Sequence, residues 1–222
     1  MNEILFLKFL HLIGFVYWLG GDLGTFFAAG FVVRDELTVE SRATALKIML
    51  GCDQGPKTCM PLMFPLGLQL GQSMGLVALP AWALVFVWMV ALVWSVNVQY
   101  LYFTQNRSAK ENVARVDFGL RIAVVAFVSV YAVGVLMGDA WLGPSWFAWK
   151  MLIFAALVTC GLLIRVKLKP FVAAFGQLLS QGPSSEINTA MVNALRSVRP
   201  LVYLIWIGLL LNAALGIHLI RV

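Results

Sequence analysis

Charge is what this sequence has least of. Only 12% of its 222 residues are Asp, Glu, Lys or Arg, whereas 61% are hydrophobic. Water-soluble domains carry about 25% charge, so a soluble globular fold is excluded. Apolar runs fill nearly the whole chain, and residues 1–222 read as a single integral membrane domain. Cysteine is scarce and odd in number, at Cys52, Cys59 and Cys160, which argues against a disulfide framework. There is no serine-hydrolase elbow, phosphate-binding glycine loop, HExxH element or paired glycosidase carboxylates. The net charge of +6 could suit nucleic acid. The basic residues, however, sit at the ends of apolar runs, where they set topology, so no nucleic-acid partner is expected.

What the sequence does have is length in its apolar runs. A membrane span takes ~20 apolar residues, and on that measure six are expected. They run from Ile4 to Val33, Lys47 to Leu79, Ala81 to Phe103, Val116 to Met137, Trp146 to Val166 and Leu201 to Ile220. The first far exceeds a signal-peptide core of ~7–15 residues and is expected to be retained. Thirteen Lys and Arg residues lie on the side of the connections after spans one, three and five; Lys8, Lys150 and Arg221 lie on the other. The positive-inside rule then puts both termini outside, on the periplasmic side if the membrane is a bacterial inner membrane. Trp82, Trp141, Trp146 and Trp149 fall on that outer side, as an aromatic belt does. The expected fold is an all-α, polytopic transmembrane bundle with the lipid bilayer as its main partner.

The longest polar stretch, 169–200, reads as cytoplasmic and amphipathic. Phe171, Phe175, Leu178 and Leu179 form one stripe, Gly182 and Pro183 break it, and Ser184 or Ser185 can cap a second helix carrying Ile187, Met191, Leu195 and Val198. These helices are expected to lie against the inner leaflet or under the bundle; a docking surface for a partner is the other reading.

Polar residues inside apolar runs are the candidates for chemistry. In HLIGFVYWLGGD, residues 11–22, His11, Trp18 and Asp22 fall on nearly one line of a helix. His218, the only other histidine, is expected at similar depth near the outer end of span six. Facing one another, the two imidazoles could ligate a b-type haem or part of a copper or zinc site; alone, each is an interfacial histidine. Asp22 reads as a proton- or ion-coupling residue, or as a polar packing contact, with Lys57, Arg121 or Asn97 as partner. Asp53 and Lys57 lie at the start of span two, with Gly55 and Pro56 between them, where an interrupted helix would free backbone groups for a ligand. Cys59, Met60 and Met63 add soft donors suited to Cu(I). Asp117 and Arg121 read as a surface ion pair.

The string His11, Trp18, Leu19-Gly20-Gly21 resembles the first helix of a loose bacterial inner-membrane group. That group includes the CopD-like copper-resistance proteins and the HemJ-type protoporphyrinogen oxidases. The HemJ resemblance implies haem b on His11; the CopD resemblance implies copper handling. Asp22 after the glycine pair is not part of either pattern, and six spans match neither. Three functions follow as expectations. The first is haem b or metal binding near the outer face through His11 and His218, with Trp18 beside the cofactor, in electron transfer or tetrapyrrole oxidation with quinone or a membrane redox partner. The second is a small ion-coupled or copper transporter built on Asp22, Asp53 and Lys57. The third is a non-catalytic subunit packing into a homo-oligomer or larger membrane complex.

Overall fold

The computed structural model describes residues 2–138 and 143–220; Trp141 and Arg221 lie outside them. Seven helices make up the described chain: α1 (Asn2–Val32), α2 (Val39–Ser73), α3 (Ala81–Phe103), α4 (Arg107–Leu136), α5 (Ser145–Lys167), α6 (Lys169–Gln181) and α7 (Ser185–Gly216). No strand occurs among the described residues. Five helices, α1, α3, α4, α7 and the one opening at Ser145, are long and apolar enough to cross a membrane. The chain is therefore a multi-pass membrane protein whose apolar helices contact lipid. Phe6, Phe86, Val130 and Leu210, on four of these helices, all point outward from the bundle.

The sixth long helix, α2, is too polar to meet that test and is placed by its packing instead. It runs antiparallel to α1 in steady register. Glu3 accepts from Ser73, Gly67 lies beside His11, Met63 beside Gly14, Cys52 beside Gly24, and Arg42 bonds the Val32 carbonyl. As the α1 number rises from 3 to 32, its partner's falls from 73 to 42. Glycine permits the approach. A Cβ on Gly21 would collide with Pro56 and lie 2.8 Å from the Cys52 carbonyl oxygen, and one on Gly55 would lie 2.9 Å from the Tyr17 carbonyl oxygen. Only one member of the Gly20-Gly21 pair has this duty, since nothing approaches Gly20 within 4 Å.

Two expectations about α2 need correction. It starts at Val39, not Lys47, because Thr38 caps it by accepting from the Ser41 N–H at 3.2 Å. It is also continuous through Pro56, Pro61 and Pro65. Each proline removes one intrahelical bond, but all three rings are buried, and packing holds the helix together.

The 169–200 segment lies under the bundle. A second hydrophobic core forms there from Phe171, Phe175 and Leu178 of α6, Ile187, Met191 and Leu195 of α7, and Val32 and Ala45. Leu179, expected in the stripe, is exposed. Arg42 is the fully buried hub: it donates to the Val32 carbonyl at 2.8 Å and to Asn188 Oδ1 at 3.0 Å, with Nη2 3.6 Å from the Met191 sulfur. Desolvation draws its pKa below the ordinary arginine value and the Asp35 charge opposes that shift; arginine stays protonated at any working pH. The second amphipathic helix and span six are one helix. Pro200 sits inside α7, and the helix ends at Gly216 rather than Ile220.

Candidate functional site

The antiparallel register fixes what Asp22 meets. Residues near position 55 of α2 lie opposite it, so Asp53 and Lys57, one turn apart, bracket the same level. Asp53 and Lys57 form an i,i+4 ion pair. One Asp22 oxygen, Oδ2, is buried with no hydrogen-bond partner, and the Gln54 side-chain oxygen is in the same state. Because Pro56 has no N–H, the Cys52 carbonyl four residues earlier loses its helical donor. That carbonyl is the one pressed against Gly21. Two carboxylates, one ammonium and a freed carbonyl thus lie at one level of the α1–α2 seam. The three residues singled out for ion coupling are brought together.

The other pairing is different. His11 packs on α2, with Gly67 within van der Waals reach of its Cε1, and its Nδ1 is buried without a partner. Lys150 of α5 is close enough for its charge to act on His11. His218 stands beyond the end of α7, exposed and in left-handed conformation (φ 58°), its ring 4.8 Å from that of Trp146. No ring contact joins the two imidazoles. The two histidines thus have separate neighbours, His11 on α2 and His218 beside Trp146. On the α2 side, Gly67 and Met63 close directly on α1, the Met63 sulfur lying 2.5 Å from where a Gly14 Cβ would stand. Trp18 is core, 1% exposed and edge-on to Phe154. Among the described residues, no three His, Cys, Asp or Glu side chains converge as metal ligands.

Sequence reasoning missed the charged layer nearer the basic end, the end holding the α1–α2 turn. Asp117 is not on the surface: it is fully buried, and Arg121 is 8% exposed. Arg121 grips Asp117 through two nitrogens at 3.0 and 3.3 Å, and Arg165 of α5 adds a bond at 2.8 Å while also donating to the Ala114 carbonyl. In the sequence, arginine on α5 reads as a topology signal, and nothing local links it to Asp117. Lys150 likewise reads only as a topology signal. Its ammonium donates to the Asn212 carbonyl at 3.0 Å over Gly216, whose Cβ would stand 2.6 Å away, and so caps the end of α7. Amide bridges join α2 to α3, Gln99 donating to Thr58 at 2.8 Å and Trp88 to Gln69 at 3.0 Å.

A surface cleft of about 610 Å³ lies between the α1–α2 turn and the start of α7, lined by Asp35, Asn188 and Arg196 among others. Compared with protein-family models, curated proteins and solved structures, the chain matches none.

Proposed function

We propose that this chain is an ion-coupled transporter or permease subunit of a bacterial inner membrane, with six crossings and both termini outside. Asp22, Asp53 and Lys57 are its coupling centre. The observation that carries the reading is that the α1–α2 register sets the Asp53–Lys57 pair at the level of Asp22, one of whose oxygens is buried with no partner. An intramembrane charge costs at least ~2.5–3.5 kcal/mol unless it is neutralised, paired or wet. When Asp22 is protonated it is neutral, and Lys57 stays with Asp53. When Asp22 loses its proton, two carboxylates compete for one ammonium. Exchange of Lys57 between them then links proton binding on α1 to the position of a side chain on α2. The freed Cys52 carbonyl offers a further oxygen to a hydrated cation, as unwound carbonyls do in transporters.

The test is ion flux in reconstituted vesicles. A pH-sensitive dye inside should report proton entry under an imposed potassium diffusion potential, and a sodium-loaded arm covers the cation. Flux that is absent, or unaltered in Asp22→Asn, overturns the reading.

A second reading keeps haem b, or copper, at His11. It is supported by the buried Nδ1 without a partner, by the resemblance of the first helix, and by Met63 as a nearby soft donor. There the chain would pass electrons to quinone or a membrane redox partner. The expected result is a Soret band with a sharp reduced α band in purified protein, lost in His11→Ala; His218→Ala reports whether the second histidine takes part. A colourless protein from haem-replete cells, with no copper by metal analysis, ends this reading.

A further inference from the structure

Two buried donor groups lie where α2, α3 and α4 converge, one with no acceptor and one only partly satisfied. The Trp94 indole N–H is unpaired, although the side chain is only 2% exposed. The Arg121 guanidinium stands over that ring, 5.2 Å from its centroid. Two of its nitrogens hold Asp117, but the third, Nη1, reaches only the Met60 sulfur at 3.7 Å. A thioether is a weak acceptor. Asp117 is also shared with Arg165, so one carboxylate answers two guanidiniums and the cluster carries an excess positive charge. In a low-dielectric interior, unmet donors beside an unbalanced cation favour an anion with several acceptor oxygens. Arg165 is the open end of the cluster, its side chain 37% exposed, and it lies two residues from the end of α5. A guanidinium fork matches phosphate oxygens, and an indole N–H supplies one more donor.

We infer that Arg121, Trp94 and Arg165 form a binding site for an anionic phosphodiester, reached from the basic end of the bundle and supplied by a lipid headgroup of the leaflet at that end. The site is independent of the Asp22 centre.

The experiment is thermal unfolding of the detergent-purified full chain with short-chain phosphatidylglycerol, with phosphatidylcholine at the same mole fraction, and with inorganic phosphate. At saturating lipid the midpoint should rise by ~4 °C more with phosphatidylglycerol than with phosphatidylcholine. Trp94→Phe keeps the ring packing and removes only the N–H, so the extra rise should shrink; Arg121→Lys keeps the charge but not the fork and should abolish it. A rise with inorganic phosphate but not with lipid keeps the anion site and moves its source to soluble phosphate. Equal responses to both lipids with none to phosphate, or a rise unchanged in both variants, overturn the proposal. Native mass spectrometry of the unmodified protein gives a readout free of folding defects. Preferential retention of phosphatidylglycerol is expected, and equal retention counts against the site.

Discussion

Asp117→Ala should lower the thermal midpoint of the purified protein by ~10 °C, the largest loss expected from any single substitution in this chain. The substitution leaves Arg121 charged, 8% exposed and facing only a sulfur and an indole ring. Breaking a buried pair from one side costs about 3–5 kcal/mol, because the remaining charge is uncompensated, and each kcal/mol shifts the midpoint of a chain this size by ~2–4 °C. Arg165 contributes less, since its side chain can rehydrate. Asp117→Asn keeps an acceptor for the fork and should fall between the two. A loss below ~1 kcal/mol is what an exposed ion pair gives, and it would place this triad in water. The check is thermal or denaturant unfolding followed by intrinsic fluorescence, which Trp94 beside the cluster should report.

Asp22→Asn should abolish coupled flux to the level of protein-free vesicles while leaving the protein folded. The change is isosteric and removes a titrating group whose Oδ2 has no partner to lose. The remaining Asp53–Lys57 pair is then permanently matched, and Lys57 has no second carboxylate to visit. Retention of the unfolding midpoint with loss of flux separates a coupling residue from a packing one. Joint loss of both would identify Asp22 as structural.

Much of the fold was legible because lipid imposes it. Apolar length alone gave the α3 bounds at Ala81 and Phe103 and placed α1, α4 and α5. Helix α2 was harder. Its prolines suggested an interruption, yet the rings are buried and the helix continues, because burial against neighbours outweighs one lost bond per proline. The joining of α6 and α7 under the bundle was legible as amphipathic stripes. That α7 runs straight through Pro200 depends on tertiary support that propensity does not contain. The candidate centre was legible residue by residue, since carboxylates in apolar runs announce themselves. Lys57 was only one of three partners open to Asp22, because the choice depends on the α1–α2 register, which is set by which of many glycines takes a close contact. The Asp117–Arg121–Arg165 triad was hidden for the same reason. Separation along the chain from Asp117 to Arg165 is bridged only when α4 packs on α5.

The register of α1 on α2 is the central claim, because it alone brings Asp22 to Asp53 and Lys57. A native thiol tests it directly. A Cβ on Gly24 would lie 2.9 Å from Cys52 Sγ and 3.2 Å from its Cβ, within a few tenths of an ångström of the ~3.5–4.5 Å Cβ separation of a disulfide. In Gly24→Cys, mild oxidation followed by thiol counting with a maleimide mass tag should hide two of the four cysteines, and Cys52→Ser should restore labelling of the introduced thiol. Full labelling of all four after oxidation, or pairing with Cys59 or Cys160 in place of Cys52, would contradict the register and with it the coupling centre.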